Sequence, residues 1–335
     1  MAPTVRIHVI TYRRPVLLRR CLKSLLAQTF PGWTAEVLND DPSDGSVAAL
    51  VAELGDPRIR LSDPCIHRGA TGNFNHAFRD CAEPFASLLE DDNWWAPRFL
   101  DTMLHALEEH PEAELACGNE RIWREGPDRA WTDTGSTVWT LLEGTSLFSP
   151  SLADLCGSAK LCNSSLLYRT RRAGDWRTPG TIPVDVTEHF RERVIPAPFL
   201  LVHEPLTNYA VTLGTARSNR REIWGGYQLL LIGSVFRLLP PPAQRTLAAA
   251  LYASTRKPGC LGGANLVGAG FLFPEARALW TLASPHEKAR FLASSLRHPV
   301  VFLRLRRFRR THRADWDFLV SSPAADAVHR AAGRA

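Results

Sequence analysis

Three carboxylates stand in succession in Leu88-Leu89-Glu90-Asp91-Asp92-Asn93-Trp94-Trp95-Ala96-Pro97, after an apolar run that begins at Pro84 and before a pair of tryptophans. Adjacent carboxylates repel, and a chain tolerates them most easily where a cation sits among them. Hard divalent ions such as Mg²⁺ and Mn²⁺ take oxygen ligands, often one or two carboxylates together with the phosphates of a substrate. One reading of the triplet is therefore a metal–diphosphate site. The plainer reading is a solvated acidic turn at the amino end of a helix starting near Pro97, an end that favours negative charge. The segment alone leaves both open.

The surrounding elements decide what the triplet can meet. A strand is expected over 5–10 and a helix over 15–28, where Val16, Leu17, Leu18, Cys21, Leu22, Leu25 and Leu26 form a stripe and Pro15 fits the first turn. Strands over 36–38, 59–61 and 85–89 alternate with helices over 46–54, 72–82 and 98–109. Such alternation predicts an α/β fold, a mostly parallel sheet with helices on both faces, and such sheets bind ligands at the carboxyl ends of their strands. Those ends carry Thr11-Tyr12, Asp40-Asp41 and Glu90-Asp91-Asp92. The coincidence favours a site over a capping turn.

Composition narrows the classes further. At 335 residues, 45% hydrophobic and 22% charged, the chain is globular and long enough for one large domain or two modest ones. Its net charge of +6 is carried by arginine, with lysine only at 23, 160, 257 and 288, and suits an anionic substrate or an acidic membrane surface. Seven scattered cysteines without Cys-x-x-Cys spacing argue against a zinc site and read as buried thiols in a reduced compartment. The first strand is followed at once by arginines, unlike a secretory signal, and the apolar run 229–239 is interrupted by Arg237 and too short to span a bilayer. A cytoplasmic protein, soluble or lying on the membrane, is expected. No Gly-x-Gly-x-x-Gly follows the first strand, and Gly157-Ser158-Ala159-Lys160 is not a P-loop, so a dinucleotide fold and a P-loop fold are excluded. The glycine-rich stretch 260–270 reads as a loop.

Taken in order, these segments resemble family 2 glycosyltransferases of the nucleotide-sugar-dependent, inverting type with the GT-A fold. The resemblance covers roughly residues 4–212. Val9-Ile10-Thr11-Tyr12-Arg13-Arg14 resembles the family's opening strand and Ser24-Leu25-Leu26-Ala27-Gln28-Thr29-Phe30 the end of its first helix. Asn39-Asp40-Asp41-Pro42-Ser43-Asp44-Gly45-Ser46 resembles its Asp-Asp-Gly-Ser-Thr-Asp-Gly turn, one residue short, and the Gly-containing segment running from Arg68-Gly69-Ala70 to Asn75 precedes the metal motif. Glu90-Asp91-Asp92 stands for Asp-x-Asp, and Glu204-Pro205-Leu206-Thr207-Asn208-Tyr209 for the closing strand.

The resemblance implies a metal-assisted transferase taking a UDP- or dTDP-sugar with Mn²⁺ or Mg²⁺. It implies that Tyr12 stacks on the base, that Ile10 and Thr11 line the pocket, and that Asp41, or else Asp40, accepts the imide N–H. Arg68 would reach the base edge or phosphates, Asp91 the ribose or the metal's water shell, and Asp92 the metal. The general base falls on Asp185, with Glu188 as rival and His189 as a weaker one. The family's Arg-x-His after the closing strand is replaced by Ala210-Val211-Thr212, which leaves a third metal ligand in doubt. Trp94, Trp95, Trp123, Trp131, Trp139 and Trp176 are candidates for a sugar-stacking acceptor surface or for core.

The expected division is a catalytic domain over 1–213, with a nucleotide-sugar half over about 1–97 and an acceptor half over about 98–213, followed by a helical C-terminal region over 214–335. In that region helices are expected over 223–239, 242–254, 274–282 and 285–296 and a frayed end over 322–335. Residues 300–310 mix apolar and cationic side chains and read either as an interfacial helix on anionic lipid or as a packed helix with solvated arginines. The acceptor is left open among a glycan, a lipid carrier and a natural product, and no nucleic acid is expected. The competing functions are a nucleotidyltransferase on a similar sheet and a non-catalytic member that binds sugar nucleotide or membrane.

Overall fold

Val5, Ile7 and Val9 are buried on one face of the first strand and His8 and Ile10 on the other, so β1 (Val5–Thr11) is a central strand covered on both sides. In the computed structural model, which describes residues 4–62, 67–157, 159–214, 221–254 and 262–334, β1 lies between two parallel partners. These are β2 (Trp33–Asn39), which pairs outward with β3 (Ile59–Leu61), and β4 (Phe85–Glu90). The sheet continues through β5 (Trp94–Trp95), β6 (Leu115–Glu125), β9 (Leu166–Arg169) and β10 (Phe199–Val211), in the order β3-β2-β1-β4-β9-β6-β10-β5. β7 (Trp131–Thr137) pairs with β6 and β8 (Thr145–Phe148) with β10. The strands β3 to β4 are parallel, as are β6 and β10, while β9 enters antiparallel between β4 and β6. At Pro205, which has no N–H for the ladder, β10 shifts register.

The helices follow the alternation. On the Val5-Ile7-Val9 face, α1 (Pro15–Leu26), α2 (Gly45–Leu54) and α4 (Phe99–Glu109) bury Leu18, Leu22, Val47, Leu50, Phe99 and Met103 against the strands. On the opposite face, α3 (Gly69–Ala77) ends where Phe78 leaves the helix and stacks 5.1 Å from Tyr168, which in turn meets Trp176 at 5.7 Å. The sheet with helices on both faces is the one expected from the sequence. Two details differ. Val16 is 81% exposed, because two residues turn a helix about 200° and so set it opposite Leu18. The third helix begins at Gly69 rather than 72, since the Asp40 carboxylate accepts the Arg68 and Gly69 N–H groups at 3.1 and 2.9 Å.

The chain forms two compact units. The first is the sheet, Met1–Phe148 with Leu161–Gly180 and Pro198–Ala216. The second is Ser149–Lys160, Thr181–Ala197 and Arg217–Ala335. Two segments expected inside the 1–213 domain, 149–160 and 181–197, therefore fold with the helical unit. Their apolar residues explain it: Leu152, Leu155, Ile182, Val186 and Phe190 are buried in one cluster with Leu230, Ile232, Phe236 and Leu319. Polar ties reinforce the cluster. The buried Arg193 donates to the Leu155 carbonyl at 2.7 Å and the Leu231 carbonyl at 3.1 Å, and Thr181 and Tyr227 both donate to Asp315, at 2.7 and 2.9 Å.

In the helical unit α5 (Leu152–Leu155) and α6 (Thr187–Arg191) precede α7 (Arg221–Leu238), α8 (Pro241–Ser254), α9 (Gly263–Leu272) and α10 (Arg277–Leu282). Then come α11 (Pro285–Arg297), α12 (Pro299–Thr311), α13 (Arg313–Val320) and α14 (Ser322–Ala332). The expected loop over 260–270 is, within the described residues, the buried helix α9. A side chain at Gly270 would put its Cβ 2.3 Å from the Trp280 nitrogen, so glycine there admits α10. The expected frayed end is also helical: Ala324, Ala327, Val328 and Ala331 recur at helical spacing and are buried. Cys21, Cys117 and Cys156 are buried and form no disulfide among the described residues, whereas Cys65 and Cys260 lie outside them.

Candidate active site at the carboxyl ends of β1 and β4

The parallel register sets Ile10 opposite Glu90, so Thr11-Tyr12 and Asp91-Asp92 leave the sheet side by side. The Asp91 N–H donates to the Ile10 carbonyl at 3.0 Å. The Asp91 carboxylate is fully buried. It accepts the Thr11 hydroxyl at 2.7 Å and the Tyr12 N–H at 3.4 Å, and it meets the Arg14 guanidinium at 2.6 and 3.2 Å. Arg14 also donates to Asp92 at 2.9 Å, bridging the two acids. Burial raises the Asp91 carboxyl above the usual range, and the Arg14 charge and the Thr11 hydroxyl oppose that rise.

Each acid of the triplet has a separate environment. Glu90 turns to Ser164, whose hydroxyl donates to its carboxylate at 2.9 Å and accepts the Asn93 amide at 2.8 Å. Asn93 in turn accepts the Ala210 N–H at 2.9 Å, tying the turn to β10. Asp92 keeps one oxygen, Oδ1, that accepts no hydrogen bond from the described residues, and its side chain is 15% exposed. The acids do not cap α4: its first-turn acid is Asp101, and Asp91 and Asp92 are held by Arg14 instead.

The end of β2 makes the second wall. The Asp40 N–H donates to the Thr11 carbonyl at 3.0 Å, and its carboxylate anchors the start of α3 as described. Asp41 accepts the Ser43 hydroxyl at 2.6 Å, the Ser43 N–H at 3.0 Å and Arg13 Nε at 2.5 Å. The Ser43 hydroxyl and then Arg13 hold its carboxyl down to about 2, so it is ionised at neutral pH. Arg13 itself lies at φ 54, a left-handed conformation that costs a side-chain-bearing residue free energy. That turn points Arg13 and Arg14 to different acids and leaves the Tyr12 ring 41% exposed beside the Arg13 guanidinium, 5.1 Å from its centroid. The half-buried Arg68 side chain forms no ion pair among the described residues.

Three of the tryptophans converge here. Trp94 meets Trp123 at 5.4 Å and Trp131 at 5.9 Å, and the Arg20 guanidinium stacks on Trp94 and Trp131 at 3.7 and 4.0 Å. Arg20 also donates to the Asp92 carbonyl at 2.7 Å, and burial lowers its pKa to about 10. The other three do not join them: Trp95 stacks on Phe99 in the core, Trp139 meets Phe148 edge to face, and Trp176 is buried.

The expected nucleotide and metal residues Ile10, Thr11, Tyr12, Asp40, Asp41, Asp91 and Asp92 are thus drawn together at adjoining strand ends. Asp185 and Glu188 belong to the helical unit, on a 3₁₀ turn over Val184–Val186 and on α6. Burial holds His189 near 4, which keeps it neutral at physiological pH. Sequence reasoning missed Arg14, Arg20 and Ser164. For Arg14 a signal existed, since a cation three residues past the end of β1 can face the acids that end the neighbouring strand β4; Arg20, inside α1, carried none.

Residues 6–170 match the sequence model of glycosyl transferase family 2. The UDP-Glc:alpha-D-GlcNAc-diphosphoundecaprenol beta-1,3-glucosyltransferase WfgD of Escherichia coli is 29% identical over 100 residues, 30% of this chain and 39% of that one. Protein CgeD of Bacillus subtilis is 24% identical over 129 residues, 36% of this chain and 30% of that one. The curated relatives it matches are spanned over only 14% to 39% of their own lengths. Among solved structures, S. aureus TarS 1-349 in complex with UDP-GlcNAc superposes with a TM-score of 0.58 at 13% identity, covering 98% of this chain and 92% of that one. This likeness bears on the fold, and it agrees with the expected GT-A sheet. The matched stretch runs from β1 through β9 and contains every residue of the Asp91–Arg14–Asp92 bridge, so residues 6–170 of the chain belong to glycosyl transferase family 2.

Proposed function

We propose that the chain transfers a sugar from a UDP- or dTDP-sugar to an acceptor nucleophile with inversion at the anomeric carbon. The observation that supports this most is the pairing of an exposed aromatic, Tyr12, with two differently solvated carboxylates, Asp91 and Asp92, at adjoining strand ends. In this reading Tyr12 stacks on the base and ionised Asp41 accepts its imide N–H, with the exposed Arg13 giving way. Arg68 is available to the phosphates, where a guanidinium fork is well matched.

The donor set fits a hard divalent ion. Asp92 Oδ1 is a free carboxylate oxygen, and no cluster of three His, Cys, Asp or Glu ligands exists among the described residues. Mg²⁺ or Mn²⁺ would therefore be held by Asp92 with the remaining ligands from substrate phosphates and water, and would supply charge neutralisation to the leaving diphosphate. The chain's own part is the proton. Asp185, or Glu188 as its rival, takes the proton of the acceptor hydroxyl as that oxygen bonds to the anomeric carbon. The carbon–phosphate oxygen bond breaks, and the nucleoside diphosphate leaves with the electron pair. The Trp94, Trp123 and Trp131 rings offer a stacking surface for an acceptor. A glycan, a lipid carrier or a natural product would fit that surface.

The test is a thermal-shift screen of sugar nucleotides with and without Mn²⁺, followed by product analysis. A ligand at 100 times its dissociation constant adds about 2.7 kcal/mol. Release of UDP or dTDP supports the proposal. Released pyrophosphate would instead make the protein a nucleotidyltransferase, and tight binding without turnover with any acceptor class would make it a binding member.

A further inference from the structure

The positive charge of this chain is gathered in one place. Residues 285–311 hold eight of the forty Lys and Arg and one of the thirty-four Asp and Glu, so the remainder is close to neutral. They form α11 and α12, joined at His298. One face of the pair is packed. Phe291 meets Phe271 at 5.4 Å, and Phe308 lies against Tyr227 in space left by Gly226, whose Cβ would come 2.3 Å from the ring. Arg309 pairs with Glu275 at 2.9 Å and stacks on Trp316 at 3.9 Å. For this face the packed-helix expectation holds.

The other face is not packed. α11 has no buried residue at all, and Ala289, Leu292, Ala293 and Leu296 recur on it at i, i+3, i+4 and i+7, all exposed. The apolar series continues through Val300 and Leu303 of α12, with Leu296 82% and Val300 60% exposed. Beside it Arg297, Arg306, Arg307 and Arg310 are exposed and make no ion pair among the described residues.

We propose that this face of α11 and α12 docks on an anionic lipid surface. An apolar stripe flanked by arginines on long stems suits the boundary between acyl chains and headgroups, where Leu and Val enter and guanidinium groups reach lipid phosphates. A second copy of this chain fits less well, because an isologous contact would set arginine against arginine, and the one acid of the pair, Glu287, is already held by the Ser284 cap. The proposal concerns attachment, and its test reads attachment, so it stands or falls apart from the transfer reaction. No helix among the described residues is long and apolar enough to cross a membrane, so the attachment proposed is peripheral.

The experiment is co-sedimentation of the full chain with phosphatidylcholine vesicles with and without phosphatidylglycerol, at low and high salt. Binding should require the anionic lipid and be released by salt. The triple variant R306Q/R307Q/R310Q should lose roughly a hundredfold in partitioning, about a factor of five per arginine. The double variant L296Q/V300Q changes only exposed side chains and should lose roughly tenfold. Circular dichroism confirms that each variant folds. No binding in low salt, equal binding to neutral vesicles, or undiminished binding by both variants would overturn the proposal. So would a wild-type dimer that L296Q/V300Q dissociates in a protein that ignores vesicles.

Discussion

Replacing Arg14 by glutamine tests how the acidic pair is held. In the native protein Arg14 lies 2.6 Å from Asp91 and 2.9 Å from Asp92, and Asp91 has no access to water. Removing one partner of a buried ion pair costs about 3–5 kcal/mol, because the other charge is left uncompensated. The Arg14 side chain is 30% exposed, so water screens part of that loss, and about 2–4 kcal/mol is expected. The Thr11 hydroxyl and Tyr12 N–H remain and keep the penalty from growing further. If the loss comes from a stranded charge, adding Asp91→Asn should recover about 2 kcal/mol of it, a coupling well outside additivity. The loss should also depend on pH. Burial already raises the Asp91 carboxyl, and loss of Arg14 raises it more. A folded-state pKa above the unfolded value of about 3.9 means that the native state binds more protons in between, so stability falls as pH rises through that window. R14Q should be close to wild type near pH 4 and weakest above neutrality. Hydrogen exchange of the β1 and β4 amides in the four proteins of the cycle, at acid and neutral pH, reads this directly. An R14Q loss below about 1 kcal/mol at neutral pH, or no recovery by D91N, would refute the buried-pair argument.

Three further outcomes are expected. Asp92→Asn should abolish turnover with the fold intact, since the leaving diphosphate loses its neutralising partner; full wild-type activity in excess chelator would contradict this. Asp41→Ala should weaken UDP or dTDP binding roughly tenfold to a hundredfold by calorimetry, and equal affinity would remove Asp41 from the base pocket. Asp185→Asn should lower kcat by about 10²–10⁴-fold with donor affinity unchanged, whereas Glu188→Gln costs much less; the reverse order moves the base to Glu188, and two active variants place it elsewhere.

The parts of the fold legible in the sequence are those governed by local periodicity. The succession from β1 to α4 could be read because Val5, Ile7 and Val9 alternate and Leu18, Leu22 and Leu25 recur at helical spacing. The ends of its strands could be read because their acids are adjacent in sequence. What escaped depends on contacts distant in sequence. The start of α3 is set by Asp40, 29 residues before Gly69. Ser164 stands 74 residues after Glu90. The polar strand β7, Trp131–Thr137, has no apolar alternation to announce it and exists by pairing with β6. Glycines at 263, 268 and 270 signal a loop by propensity and a helix by packing, and only the tertiary context separates the two.

The division of the chain into interleaved units has a consequence for its birth on the ribosome. The strand β10 pairs with β5, β6 and β8, so the sheet cannot be completed until about residue 211 has emerged. By then 149–160 and 181–197 are already out, with Leu152, Leu155, Ile182 and Phe190 facing water and Arg193 without its acceptor on α7. Their partners follow from residue 221 onward, over a window on the order of ten seconds at about 5–20 residues per second. A fragment ending near residue 213 never closes that window. It would carry the completed sheet together with two permanently bare apolar segments, and so should depend on a chaperone more than the whole chain does.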